Sequence, residues 1–192
     1  MAVMAVVFLA VSGEAPAEDN IAAESSGKEL LTVEEARALR FRAPPFAPPV
    51  HNPTYIKECG SCHLAYQPGW LPLRSWQQHL KSLDDHFGKK VVIDAAMQRR
   101  IGKLLKARAA GESRSRVSNA MMKSIPGEQT PLRITVTEFF AGKHQGVDMS
   151  RSTAGIRLES ASYCLACHGE ANEGFFDKLS LVKPGSGSSK AK

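Results

Sequence analysis

The sequence predicts a mainly α-helical fold with little or no sheet. Apolar residues recur at helical spacing in Trp76, Leu80, Leu83 and Phe87, and again in Met97, Ile101, Leu104 and Leu105. Helix-capping residues precede several such runs, and the one alternating stretch, 131–137, is short. A hydrophobic share of 43% in 192 residues is that of an ordinary globular chain, compatible with one compact domain or two small ones.

Met1 to Val11 are almost wholly apolar, too short to span a bilayer, and followed by small residues ending in Ala15-Pro16-Ala17. Residues 1–17 therefore read as a secretory signal, one without the usual leading Lys or Arg, and imply export to the periplasm and a soluble mature protein. Residues 18–49 form a lead-in. They start acidic and polar, which predicts disorder over 18–31. A short helix follows, with capping-box spacing at Thr32-Val33-Glu34-Glu35, and then a strap held extended by Pro44, Pro45, Pro48 and Pro49.

Residues 50–111 make a first cysteine-bearing region. Pro68, Gly69 and Pro72 mark a turn, and Ser75 is placed to cap a helix that carries His79 and His86 on one edge of its apolar stripe. Asp94 caps another helix, ending near Gly111. Residues 112–130 read as a polar linker with one helical turn around Val117 to Lys123. In the second region, 131–183, the alternation over 131–137 predicts a short strand. Thr137 caps a brief helix through Phe139, Phe140 and His144, kept short by Gly142 and Gly146. Residues 184–192, rich in Gly, Ser and Lys, are a flexible tail.

All four cysteines fall in two Cys-x-x-Cys-His pentads, at 59–63 and 164–168. Thiols at that gap lie on one helical turn, where both add across the vinyl groups of a haem while the following histidine reaches the iron. Such attachment is made outside the cytoplasm, in keeping with a secretory signal. A four-thiolate zinc site has no use for systematic trailing histidines, and Cys62 and Cys164 lie far apart in sequence. A thioredoxin-like pair needs its own strand and helix, and two disulfides would each close a strained four-residue ring. The expectation is therefore two haem c groups, bound through Cys59, Cys62, Cys164 and Cys167, with His63 and His168 as axial ligands. The helices should wrap around both groups.

The sixth ligand decides what each iron can do. His86 and His144 have apolar neighbours suited to a haem face; His79 and then His51 stand in reserve. Met97, Met121, Met122 and Met149 are rivals by chemistry, although each reads more simply as packing or surface. With two histidines on each iron neither has an open position, which points to an electron carrier and not an enzyme. The competing class is a haem enzyme or gas sensor with one five-coordinate iron, and no acid–base constellation between the pentads supports it. The formal charge of +6, with Lys and Arg scattered through helical stretches, argues against nucleic acid and for an acidic patch on a redox partner.

The run Glu58 to Tyr66, then Pro68-Gly69, Leu71-Pro72, Arg74-Ser75-Trp76, Leu83-Asp84-Asp85-His86-Phe87-Gly88, Lys143-His144 and the second pentad resemble the bacterial dihaem cytochrome c family, DHC. The likeness covers about residues 50 to 178. It implies a soluble, mostly helical protein with two bis-histidine haems that passes electrons from a membrane b-type cytochrome to soluble periplasmic acceptors. In some relatives the acceptor is a small monohaem cytochrome. The family's distal histidines map onto His86 and His144, and nearness in sequence puts His86 with the first haem and His144 with the second.

Overall fold

The computed structural model describes residues 44–182, together with 32–34, 37 and 38. The expected signal, the disordered start, most of the first short helix and the tail lie outside the described residues. Residues 33, 34, 37 and 38 are helical, and no strand occurs among the described residues, only isolated bridges. The mainly α expectation is met.

Among the described residues from 44 on, five α-helices, joined by 3-10 turns, make the frame. Helix α1, Pro53–Cys59, starts with Pro at its first position and with Asn52 accepting the Tyr55 N–H at 2.9 Å, a cap that contributes about 1 kcal/mol. Helix α2 spans Leu73–Lys81 and α3 spans Ala95–Arg108, the latter capped by Asp94 as expected. Helix α4 is Arg116–Ser124, capped by Ser115, and α5 is Glu138–Lys143, capped by Thr137. None is long enough to hold its shape unaided; tertiary burial does that work. The shared core joins Tyr55 of α1, Trp76 of α2, Ile101 and Leu105 of α3, Val117 and Met121 of α4, and Ile134.

Several local expectations are corrected. The segment 112–130 is not merely a polar linker: α4 buries Val117 and Met121 completely, and two apolar positions beside a buried Ser118 were enough to seat a short helix. The stretch 131–137 is no strand. Ile134–Val136 is a 3-10 turn, because Ile134 alone points into the core while Val136 stays exposed. Ser75 is not a cap; α2 begins at Leu73 with Pro72 before it, and Ser75 is fully buried inside the helix. The apolar stripe expected to reach Phe87 ends with α2 at Lys81, after which Leu83–Asp85 form a 3-10 turn. Phe87 is therefore exposed, and its φ of 55° is unusual for a non-glycine residue.

The proline strap runs back toward the second half of the chain. The Phe46 ring stacks on Phe139 at 5.9 Å and meets Trp70 edge-on, while the Ala47 N–H bonds the Gly174 carbonyl at 3.2 Å. Gly174 has φ of +84°, and any Cβ there would run into the Ala47 carbonyl oxygen. Only glycine lets the strap close on this turn.

Candidate functional site

The first pentad starts at the end of α1. Cys59 is the last helical residue, and Cys62 lies exposed in the bend beyond Gly60, so the two thiols share a helix terminus and not a full helical turn. The second pentad folds as a 3-10 turn, Cys164–Ala166, with the His168 N–H closing on the Cys164 carbonyl at 2.7 Å. All four cysteines are free, and no group of three or more His, Cys, Asp or Glu gathers as a metal cluster among the described residues. A four-thiolate zinc site has no geometry to rest on. Burial first, and Glu58 second, pushes the Cys59 thiol up to about 11; burial likewise raises Cys164 to about 11. Both stay protonated, the opposite of what a thiolate redox pair needs.

Each pentad histidine meets a second imidazole. The His63 and His86 ring centroids are 6.3 Å apart, and those of His144 and His168 are 6.1 Å apart. Metal–imidazole bonds of about 2.0 Å on either side of one ion, with roughly 1 Å more from each nitrogen to its ring centre, set opposed imidazole centroids about 6 Å apart. Both pairs fit that span. The interplanar angles of 31° and 83° are equally compatible, because each ring can turn about the bond axis it would share with its partner.

The hydrogen bonds fix which ring nitrogen is free. His63 Nδ1 lies 2.7 Å from the Leu64 carbonyl and His144 Nδ1 lies 2.9 Å from the Phe140 carbonyl. A carbonyl only accepts, so both Nδ1 atoms carry hydrogen and both Nε2 atoms keep a lone pair. His168 Nδ1 sits 3.3 Å from Ser180 Oγ, whose own hydrogen goes to the Asp177 carbonyl at 2.7 Å. The serine is therefore the acceptor, and His168 Nε2 is free as well. His86 differs. Its Nδ1 is buried without a hydrogen-bond partner, a cost of about 1–3 kcal/mol that coordination of the ring would offset in part. Burial above all lowers the pKa of His86 and His168, with the facing His63 and His144 adding to it, so both remain neutral donors.

Neither reserve histidine makes a ring contact with His63 or His168 among the described residues. His79 packs behind His86 at 5.4 Å, wedged between Trp76 and Phe87, and burial first and His86 second lower it to about 4. His51 is exposed and touches no other histidine ring. Met121 is fully buried in the core, and Met97 and Met122 pack against it. Sequence reasoning passed over Tyr66, whose ring lies 5.1 Å from His63, and Phe176, whose ring lies 5.5 Å from His168. Tyr66 follows His63 by three residues, which was the available signal.

The model of one family, dihaem cytochrome c, matches residues 55–176, a span that contains both pentads and all four paired histidines. The chain belongs to the dihaem cytochrome c family. A diheme cytochrome c from Rhodobacter sphaeroides shares 33% identity, with a TM-score of 0.60 over 68% of this chain and 100% of that one. The diheme cytochrome c of Shewanella baltica OS155 shares 30% identity, with a TM-score of 0.54 over 70% and 94%. Among curated proteins none matches. As a member, this dihaem cytochrome c carries two covalently bound haem c groups, and its family role is electron transfer. The donor set fits that cofactor. Among the described residues no helix is long and apolar enough to cross a membrane.

Proposed function

We propose that this dihaem cytochrome c is an exported, periplasmic electron carrier whose irons are both bis-histidine ligated. One haem is held by Cys59 and Cys62 between His63 and His86, and the other by Cys164 and Cys167 between His168 and His144. The observation that carries this reading is the pair of opposed imidazoles at 6.3 and 6.1 Å, each containing one pentad histidine. The bound haem supplies the one-electron couple. The chain's part is to hold His63, His144 and His168 with their Nδ1 hydrogens engaged, to exclude water with Trp70, Phe139 and Phe176, and to leave no open ligand position.

Partner choice follows from charge. Residues 89–116 hold nine Lys or Arg against two Asp or Glu, a net +7 in a chain whose total is +6. The cations looked scattered in sequence, yet Arg99, Arg100, Lys103, Lys106 and Arg108 all lie exposed on α3, and no ion pair engages them among the described residues. Such a face steers an acidic redox partner. A membrane b-type cytochrome as donor and a small monohaem cytochrome as acceptor match the family resemblance.

The test uses protein exported from a host that matures c-type haem. A pyridine haemochrome assay should count two covalent haems, and a potentiometric titration should resolve two reversible one-electron steps. Changing both cysteines of either pentad to serine should leave one haem. A count other than two, or loss of both haems from a single-pentad variant, overturns the assignment.

A further inference from the structure

We propose that Tyr66 is the electron bridge between the two haem sites, an inference that rests on assigning one haem to each pentad. Its ring lies 5.1 Å from the His63 ring at 39°. Its hydroxyl donates to the Ser162 carbonyl at 3.1 Å, across 96 residues of sequence and two residues before Cys164. One side chain thus runs from the His63 ring of the first site to the backbone that leads, two residues on, into the attaching Cys164 of the second.

The surroundings make this link short and rigid. Tyr55 Oη donates to the Tyr66 carbonyl at 2.5 Å, and Gln67, almost fully buried, donates through Nε2 to the Ala171 carbonyl at 3.2 Å. Residues 66 and 67 are therefore clamped to α1 on one side and to the second pentad's segment on the other. Electron tunnelling falls off much more steeply across an empty gap than along bonds and hydrogen bonds. The route His63, Tyr66, Ser162, Cys164 crosses one ring contact and one hydrogen bond, and the rest is covalent. A single electron moves: one iron goes from ferrous to ferric, the other from ferric to ferrous. No proton is released, and Tyr66 is neither oxidised nor ionised.

The experiment uses the two-haem holoprotein and its Tyr66→Leu, Tyr66→Phe and Tyr55→Phe variants. Intramolecular exchange is read from the averaging of haem-methyl NMR lines in half-reduced samples, at concentrations where exchange between molecules is slow. Haem count, absorbance and both potentials are measured alongside. Tyr66→Leu should slow the exchange by about tenfold or more, and Tyr66→Phe, which keeps the ring and loses the hydroxyl, should slow it about threefold. Tyr55→Phe removes a hydroxyl that holds the Tyr66 backbone but lies off the route, so it should slow exchange less than Tyr66→Phe does. Wild-type exchange in Tyr66→Leu with two haems present overturns the bridge; should that variant not accumulate, wild-type exchange in Tyr66→Phe does the same. If the haem assignment itself fails, the wild-type count is not two, or the Cys164→Ser/Cys167→Ser variant keeps both haems, and the bridge falls with it.

Discussion

Replacing His86 by alanine removes a ring whose centroid lies 6.3 Å from His63 while taking almost nothing else from the fold. The ring makes no hydrogen bond among the described residues, so none is lost. Its aromatic contacts are Phe87 at 4.9 Å and His79 at 5.4 Å, and losing two such pairs costs about 1–2 kcal/mol in all. The backbone bridge stays, because the His86 N–H bonds the Lys89 carbonyl at 2.7 Å regardless of side chain. His86→Ala should therefore fold, retain both haems and open one iron. Carbon monoxide added to the reduced variant should shift the spectrum of one haem in two. His51→Ala should bind none, since His51 is exposed and touches no other histidine ring. A closed His86→Ala, or an open His79→Ala beside it, would refute the assignment of His86 and move the ligand to its neighbour.

Gly174→Ala drives a Cβ into the Ala47 carbonyl at a left-handed φ, so the strap should detach and thermal unfolding should show a loss of about 2 kcal/mol or more. Met121→Ala empties a fully buried position on α4 and should cost about 2–5 kcal/mol in denaturant titration; a loss below about 1 kcal/mol would mean that α4 is not core. Burial raises the phenol pKa of Tyr55 and Tyr66. A raised pKa in the folded state gives stability that is whole below the unfolded value near 10 and is lost as pH rises above it. The alkaline limb of the stability profile should therefore fall from about pH 10 in the wild type and flatten in Tyr66→Phe. Reversing Arg99 and Lys103 to glutamate should slow electron transfer to an acidic partner and weaken its dependence on salt, read by stopped flow across ionic strengths.

The chemistry was legible in the sequence because covalent attachment needs fixed residues at fixed gaps. His86 and His144 were marked in the sequence by the aromatic or acidic turn residues before them, and the structure sets their rings 6.3 and 6.1 Å from those of His63 and His168. What failed was local. Ser75 had cap spacing, but Pro72 already supplied a backbone suited to starting the helix, and the chain turned three residues earlier. The 131–137 alternation had no partner strand to pair with, so Ile134 sank alone. Helix α4 showed in the sequence only as one turn around Val117 to Lys123, because its buried face rests on Val117, Ser118 and Met121, a stripe too narrow to stand out among polar neighbours. The place of Tyr66 three residues after His63 marked it beside the first site, but its bond to Ser162 could not be read there, since the hydroxyl meets that carbonyl only after the chain has closed over 96 residues.

The account stands most directly on the absorbance spectrum of the reduced wild-type holoprotein before and after carbon monoxide. It predicts no change at either haem, because each iron is closed on both faces by histidine; a shift at even one haem would show an open iron and contradict the electron-carrier reading.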